Sequence, residues 1–212
     1  MKYVAIPLTL LLAVLLLIGC TSKKAETTDV VVAKINGEPI TQADLDFYQF
    51  INLIQIEMYR AADQSTYQGE ELNQAMKYWD AQAEDAKNPN TLLTQIIRLR
   101  AMSLLAEEKG HQATAEEVDK EVAKVKEIYQ KQPVAMKMIG EYGEEKFWEQ
   151  EKAQYERIVL VNKVQQDMIQ KVKEANPNAD AKEINMLAEK KYEELLVSQM
   201  GTLEIEIVQK GK

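Results

Sequence analysis

Cysteine, histidine, glycine and proline are all scarce in this chain, and each scarcity removes a class of function. A single cysteine cannot close a disulfide within the chain, so the fold is not a disulfide framework. With one histidine and one cysteine there is no Cys/His metal spacing, and neither a Gly-rich phosphate loop nor a Ser/His/Asp set can be found. No motif calls for a cofactor. Eight glycines and five prolines in 212 residues provide little material for tight turns, while abundant Glu, Lys, Ala, Gln and Leu favour helices over sheets. Cations are the minority, 26 Lys and Arg against 34 Asp and Glu. A basic face for phosphates is therefore missing, and nucleic acid is not an expected partner.

What the chain does have begins with an apolar run. Residues 1–19 carry one cation, Lys2, then an almost unbroken apolar stretch from Tyr3 to Ile18, then Gly19 before Cys20. That order is the order of a secretory signal. Pro7 interrupts the run, and spanning a bilayer takes about 20 apolar residues, so an uncleaved membrane helix is the weaker reading. The segment "LIGC" resembles the bacterial lipobox. The resemblance implies that the Cys20 thiol receives lipid, that the chain is cut before it, and that the mature protein is membrane-anchored. Two or three acyl chains make such an anchor lasting, where one holds only marginally. The predicted location is extracytoplasmic: the outer face of the cell membrane or, in a two-membrane cell, a periplasm-facing membrane. Residues 20–29, with "TSKKAETTD" after the cysteine, lack an apolar period and read as a flexible tether.

Residues 30–212 read as one mainly α domain with a small β-sheet. "VVVAKI", Asn36-Gly37 and "EPI" predict a hairpin whose returning arm, carrying Pro39, is not a central strand. Thr41 with Asp44 opens a helix carrying Phe47, Phe50, Ile51, Ile54 and Met58 at helical spacing. Leu72, Met76 and Trp79 suit one amphipathic helix, and Asn88-Pro89 begins the most apolar helix after the signal. Gly110 ends that helix, and Thr114 with Glu117 opens the next. Pro133 starts a short helix or turn bounded by Gly140 and Gly143, and residues 144–174 run as one long helix. Asp180 with Glu183 opens a last helix, after which "TLEIEIV" alternates as a half-buried strand that should pair with the hairpin. The long helix and the strand edge are also surfaces through which two copies could form a homodimer.

Three blocks, "VVAKINGEPITQADLD", "AMSLLAEEKGHQATAEEVDKEV" and "GEEKFWEQEKAQYERIVLVNKV", resemble in order and spacing the N-terminal domain of SurA-type chaperones and the matching region of PrsA foldases. The resemblance covers most of residues 30–170. It implies a helical bundle that cradles unfolded chains and contributes no catalytic residues. Those families commonly insert a parvulin-type prolyl isomerase domain between the helical halves. Here only residues 175–202 lie between the long helix and the final strand, so isomerase activity is not expected.

The candidate residues follow from this. His111 sits after Gly110 on a predicted solvated loop. Adjacent carboxylates such as Glu116 and Glu117 or Glu193 and Glu194 point about 100° apart on a helix and read as solvated faces. Among nine methionines, Met136 and Met138 cluster with Ile139, Tyr142, Trp148 and Tyr155, and this set is the candidate peptide-binding surface, since flexible thioethers accept many sequences. The expected function is an ATP-independent, membrane-anchored chaperone or foldase-like lipoprotein that binds unfolded or newly exported polypeptides. The alternative is an envelope scaffold or assembly lipoprotein gripping one specific protein partner.

Overall fold

The computed structural model describes residues 29–208. The signal segment, Cys20 and all but the last residue of the tether lie outside the described residues. Strand β1 (Val31–Ile35) and strand β2 (Glu38–Thr41) form the expected hairpin. Asn36 and Gly37 both take positive φ, 50° and 86°, the conformation a two-residue turn between twisted strands requires and Asn-Gly supplies. Strand β3 (Ile205–Ile207) pairs antiparallel with the free edge of β1, giving the order β2-β1-β3. Pro39 therefore lies on an outer strand. Asn36 binds β3's approach twice: its N–H donates to the Glu204 carbonyl at 2.8 Å and its Oδ1 accepts from the Glu204 N–H at 2.9 Å. At the other end the Val208 N–H donates to the Val32 carbonyl at 2.9 Å.

The two ends of the described chain thus meet as the sequence predicts, but the last strand is shorter than its alternation suggests. Leu203 precedes it, and Ile207 is 56% exposed. Ile205 packs against the apolar cluster under the sheet and Ile207 does not, because the helices cover only one end of β3.

Seven helices follow among the described residues: α1 (Gln42–Thr66), α2 (Gly69–Asp85), α3 (Pro89–Glu108), α4 (Ala115–Gln130), α5 (Pro133–Tyr142), α6 (Glu144–Ala175) and α7 (Ala181–Met200). Their starts are written locally. Thr41 and Asp44 form a reciprocal capping box on α1, and Thr114 and Glu117 form another on α4, each satisfying two N–H groups that a helix start leaves unpaired. Asn88 caps α3 ahead of Pro89, and the Asp180 side chain accepts from the Glu183 N–H at the start of α7. Gly110 (φ 86°) and Gly143 (φ 101°) occupy the left-handed region just after α3 and α5, where glycine is the favoured residue. Gly140, expected as a boundary, lies inside α5.

Helix α6 is the spine. Its 32 residues extend about 48 Å at ~1.5 Å each, and α3, α4, α5 and α7 all pack on it. Leu160, Val161 and Val164 meet Ala101, Met102 and Leu105 of α3 and Leu196 of α7. Near its start Phe147 meets Phe47, Ile51 and Ile54 of α1, Tyr129 of α4 and Ile139 of α5. Near its end Val172 meets Ile184 and Ala188 of α7. A further cluster, with Ala33, Ile35 and Ile40 of the sheet over Leu92 and Ile96 of α3, fixes the strands to the bundle. By contrast α2 buries none of its residues and rests chiefly on α1.

Phe147 is fully buried and touches aromatic rings from three other helices. Phe147→Ala should lower unfolding free energy by about 3–5 kcal/mol, against about 1 kcal/mol for Thr114→Ala at the α4 cap. Urea denaturation followed by circular dichroism measures both.

Candidate functional site

The expected binding cluster does not form one open surface. Ile139 is fully buried, and Met138, Tyr142 and Trp148 are half-buried side chains packed on the same core around Phe147. Tyr142 stacks on Phe50 with ring centroids 4.4 Å apart and its hydroxyl donates to Gln150 Oε1 at 2.6 Å. Ile139 is thereby removed from the candidate surface, because α5 turns that side chain into the bundle to close the cavity between α1 and α6. Met136 stays half-exposed on α5. Tyr155, one turn beyond Glu151 on α6, is the member of the set that lines an open groove.

That groove runs between α1, α4 and α6, with a volume of about 440 Å³. Ile51, Met58, Val125 and Ile158 supply apolar walls, and Tyr129 and Tyr155 stand beside its floor. Its rim is more open: Ile128 is 52% and Tyr59 60% exposed. Tyr59 stacks parallel on Trp79 of α2 at 5.5 Å and 7°, and Tyr78 packs edge-on against Trp79 at 4.8 Å. The Trp79 Nε1–H donates to Asp63 Oδ2 at 2.7 Å, which locks the indole in place. The ledge of exposed aromatic rings on α1 and α2 is therefore continuous with the groove through Tyr59.

Charged pairs outside the groove tie α4 to α6. Lys163 of α6 reaches the start of α4, donating to the Gln112 carbonyl at 2.6 Å and to Glu117 Oε2 at 2.8 Å. That hydrogen bond, with the Thr114 backbone donor, holds the Glu117 carboxyl down to about 2. Lys152 on α6 binds Asp119 on α4 at 2.6 Å. Between these ties and the α5 turn, Val125 and Tyr129 are suspended over α6.

On the floor lies a residue that sequence reasoning passed over. Glu151 is 2% exposed, its Oε2 has no hydrogen-bond partner, and burial raises its carboxyl to about 7. Gln154 Oε1, three residues on, also lacks a partner. Burial and the nearby Glu151 push the Tyr129 hydroxyl upward, and burial with Glu151 and Glu121 takes that of Tyr155 to about 12. The signal was present: Phe147, Glu151, Gln154 and Ile158 share one helical stripe, so a carboxylate stands where an apolar side chain is expected.

His111 is also placed differently from expectation. It is on a loop, yet its side chain is only 23% exposed and its Nε2 lies 2.9 Å from Asp167 Oδ2 of α6. The loop is docked on α6 because the His111 N–H caps the end of α3 by donating to the Ala106 carbonyl. Of the paired carboxylates, Glu193 binds Arg98 at 2.6 Å across α3 and α7 and Glu117 serves its cap, so both are structural groups at the surface. Among the described residues no group of three or more His, Cys, Asp or Glu side chains is placed to hold a metal ion, and no helix is long and apolar enough to cross a membrane. Comparison of the chain with protein-family models, curated proteins and solved structures found no match in any of the three.

The buried Glu151 makes stability pH-dependent with a definite sign. Below the ordinary carboxyl pKa of 4.5 the folded and unfolded forms both carry the proton, and burial carries no ionic penalty. As pH rises toward about 7 the unfolded chain loses its proton first, so the native state is progressively disfavoured. The full penalty is about 3 kcal/mol at ~1.4 kcal/mol per pKa unit. Glu151→Gln should therefore raise the melting temperature by several degrees at pH 8 and leave it unchanged near pH 4.5. Thermal melts across that range read the difference directly.

Proposed function

We propose that this chain is a lipid-anchored, extracytoplasmic chaperone-like protein that holds unfolded or newly exported polypeptides in the α1–α4–α6 groove without ATP or covalent chemistry. The observation that carries the reading is the open groove with an apolar wall, continuous with the exposed rings of Tyr59 and Tyr78 that flank the half-buried Trp79. A small-molecule pocket encloses most of its ligand. This one is a trough open along a rim of Tyr59 and Ile128, with area that any apolar segment can cover. Single exposed apolar residues are ordinary on a surface, whereas a continuous patch beside a concavity marks an interaction site. The three sequence blocks resembling SurA-type N-terminal domains support the same role, and the lipobox-like "LIGC" supports anchoring through Cys20.

Contacts of this kind are weak and distributed. Burying about 25 cal/mol of stabilisation per Å² against loss of client freedom yields binding that is readily reversed. The binding should therefore suppress aggregation when the protein is in several-fold excess over a denatured substrate, and Tyr59→Ser with Ile128→Ser should weaken suppression several-fold at unchanged melting temperature. Light scattering after dilution from denaturant decides it. Absence of suppression by the unmodified chain removes the holdase role. Pull-down from envelope extracts separates the remaining readings, since one stoichiometric partner would favour the scaffold and many sub-stoichiometric ones the chaperone. Cys20→Ala should move the protein from the membrane pellet to the soluble fraction on cell fractionation.

A further inference from the structure

We propose that the floor of the α1–α4–α6 groove recognises a cationic side chain, Lys or Arg, carried by an otherwise apolar polypeptide segment. The inference rests on the reading of the groove as a polypeptide-binding surface and names the chemistry of what it prefers. Two residues of its lining each carry a buried acceptor that makes no hydrogen bond: Glu151 Oε2 and Gln154 Oε1. Buried polar atoms in folded proteins are hydrogen-bonded with few exceptions, and each exception asks for an explanation. Glu151 is almost wholly inaccessible, and among the described residues lining the groove it is the one charged side chain. Neither Lys nor Arg is among them.

An occupant of the groove can supply the missing partner, and the chemistry of the floor constrains which one does so best. An aliphatic side chain seated on the floor would leave the carboxylate buried and unpaired, the most unfavourable arrangement for such a group. A backbone N–H would satisfy one lone pair without neutralising the charge. An ammonium or guanidinium does both, with charge-assisted hydrogen bonds stronger than neutral ones. The surroundings suit it. Tyr129 and Tyr155 are aromatic members of the same lining, a residue type that attracts cations, and the walls of Met58, Val125 and Ile158 suit the alkyl stem of a Lys or Arg side chain. The flanking apolar residues of the same segment would then rest on Ile128 and Tyr59 at the rim. Recognition would be selective at one position and permissive on both sides of it.

The test is fluorescence anisotropy of dye-labelled twelve-residue apolar peptides that differ at one central position, Lys, Arg, Leu or Glu, against the full chain in lipid nanodiscs with empty nanodiscs as blank. Lys and Arg peptides should bind about tenfold more tightly than the Leu peptide, and the Glu peptide more weakly than Leu. Glu151→Gln should erase the Lys preference to within about twofold, weakening the Lys and Arg peptides without weakening the Leu peptide. Because the chain carries a formal charge of −8, Glu149→Gln is the control for general attraction. Glu149 is exposed on α6, and the control should retain the preference. Equal affinities for Lys and Leu peptides, or a Lys preference that persists in Glu151→Gln, would overturn the cation site while leaving the holdase reading intact. Absence of binding by every peptide would overturn both.

Discussion

One rod organises this molecule. Helix α6 is too long for a single small core, so its buried face is divided among three clusters, and each neighbouring helix is positioned by the stretch of α6 that it meets. Phe147 sets α1, α4 and α5, whereas Leu160 and Val164 set α3 and α7. The groove follows from this division. Along α6, α4 is tied by Lys152 to Asp119 and by Lys163 to Glu117. Polar ties of that kind join the two helices without filling the space between them, and the trough lined by Glu151 lies alongside.

Much of this architecture was legible in the sequence because it is encoded locally. Thr41 with Asp44, Thr114 with Glu117, Asn88 before Pro89 and Asn36-Gly37 each specify a boundary within four residues, and each appears where its pattern placed it. The pairing of β3 with β1 was legible for a different reason: with strand-forming material at only two places, each segment had no other partner. What periodicity does not specify is which side of an apolar stripe a neighbouring helix will cover. Met136, Met138, Ile139, Tyr142 and Trp148 form a patch by composition, yet α5 turns Ile139 into the core and leaves the other four half-buried. Glu151 shares the helical stripe of Phe147 and Ile158, but that signal is masked by a run in which every second or third side chain is Glu, Lys or Gln. The partners of α6, fixed at long range, are what separate it in burial from its exposed neighbours Glu149 and Lys152.

The groove is also where local preference and global packing disagree most. α1 and α4 carry reciprocal capping boxes and the main clusters are closed. In the groove a carboxyl raised by burial and a Gln with an unpaired oxygen stand within one turn of α6, beside the exposed Tyr59 of α1. Such departures carry a stability penalty, and in natural proteins local inconsistencies of this kind are commonest at functional or strained sites. The contrast with Lys163 is instructive. Its charge is met by Glu117 and by the Gln112 carbonyl, and it belongs wholly to the scaffold.

The adjoining ends of β1 and β3 have a mechanical implication. Val32 and Val208 are hydrogen-bonded neighbours on antiparallel strands, so a chain held ahead of Val30 and pulled beyond Val208 is loaded at two points side by side. Tension in that geometry peels backbone bonds successively instead of shearing them in concert. The three-stranded sheet would yield first, like a zip, and the helical body would bear no strain until it had opened.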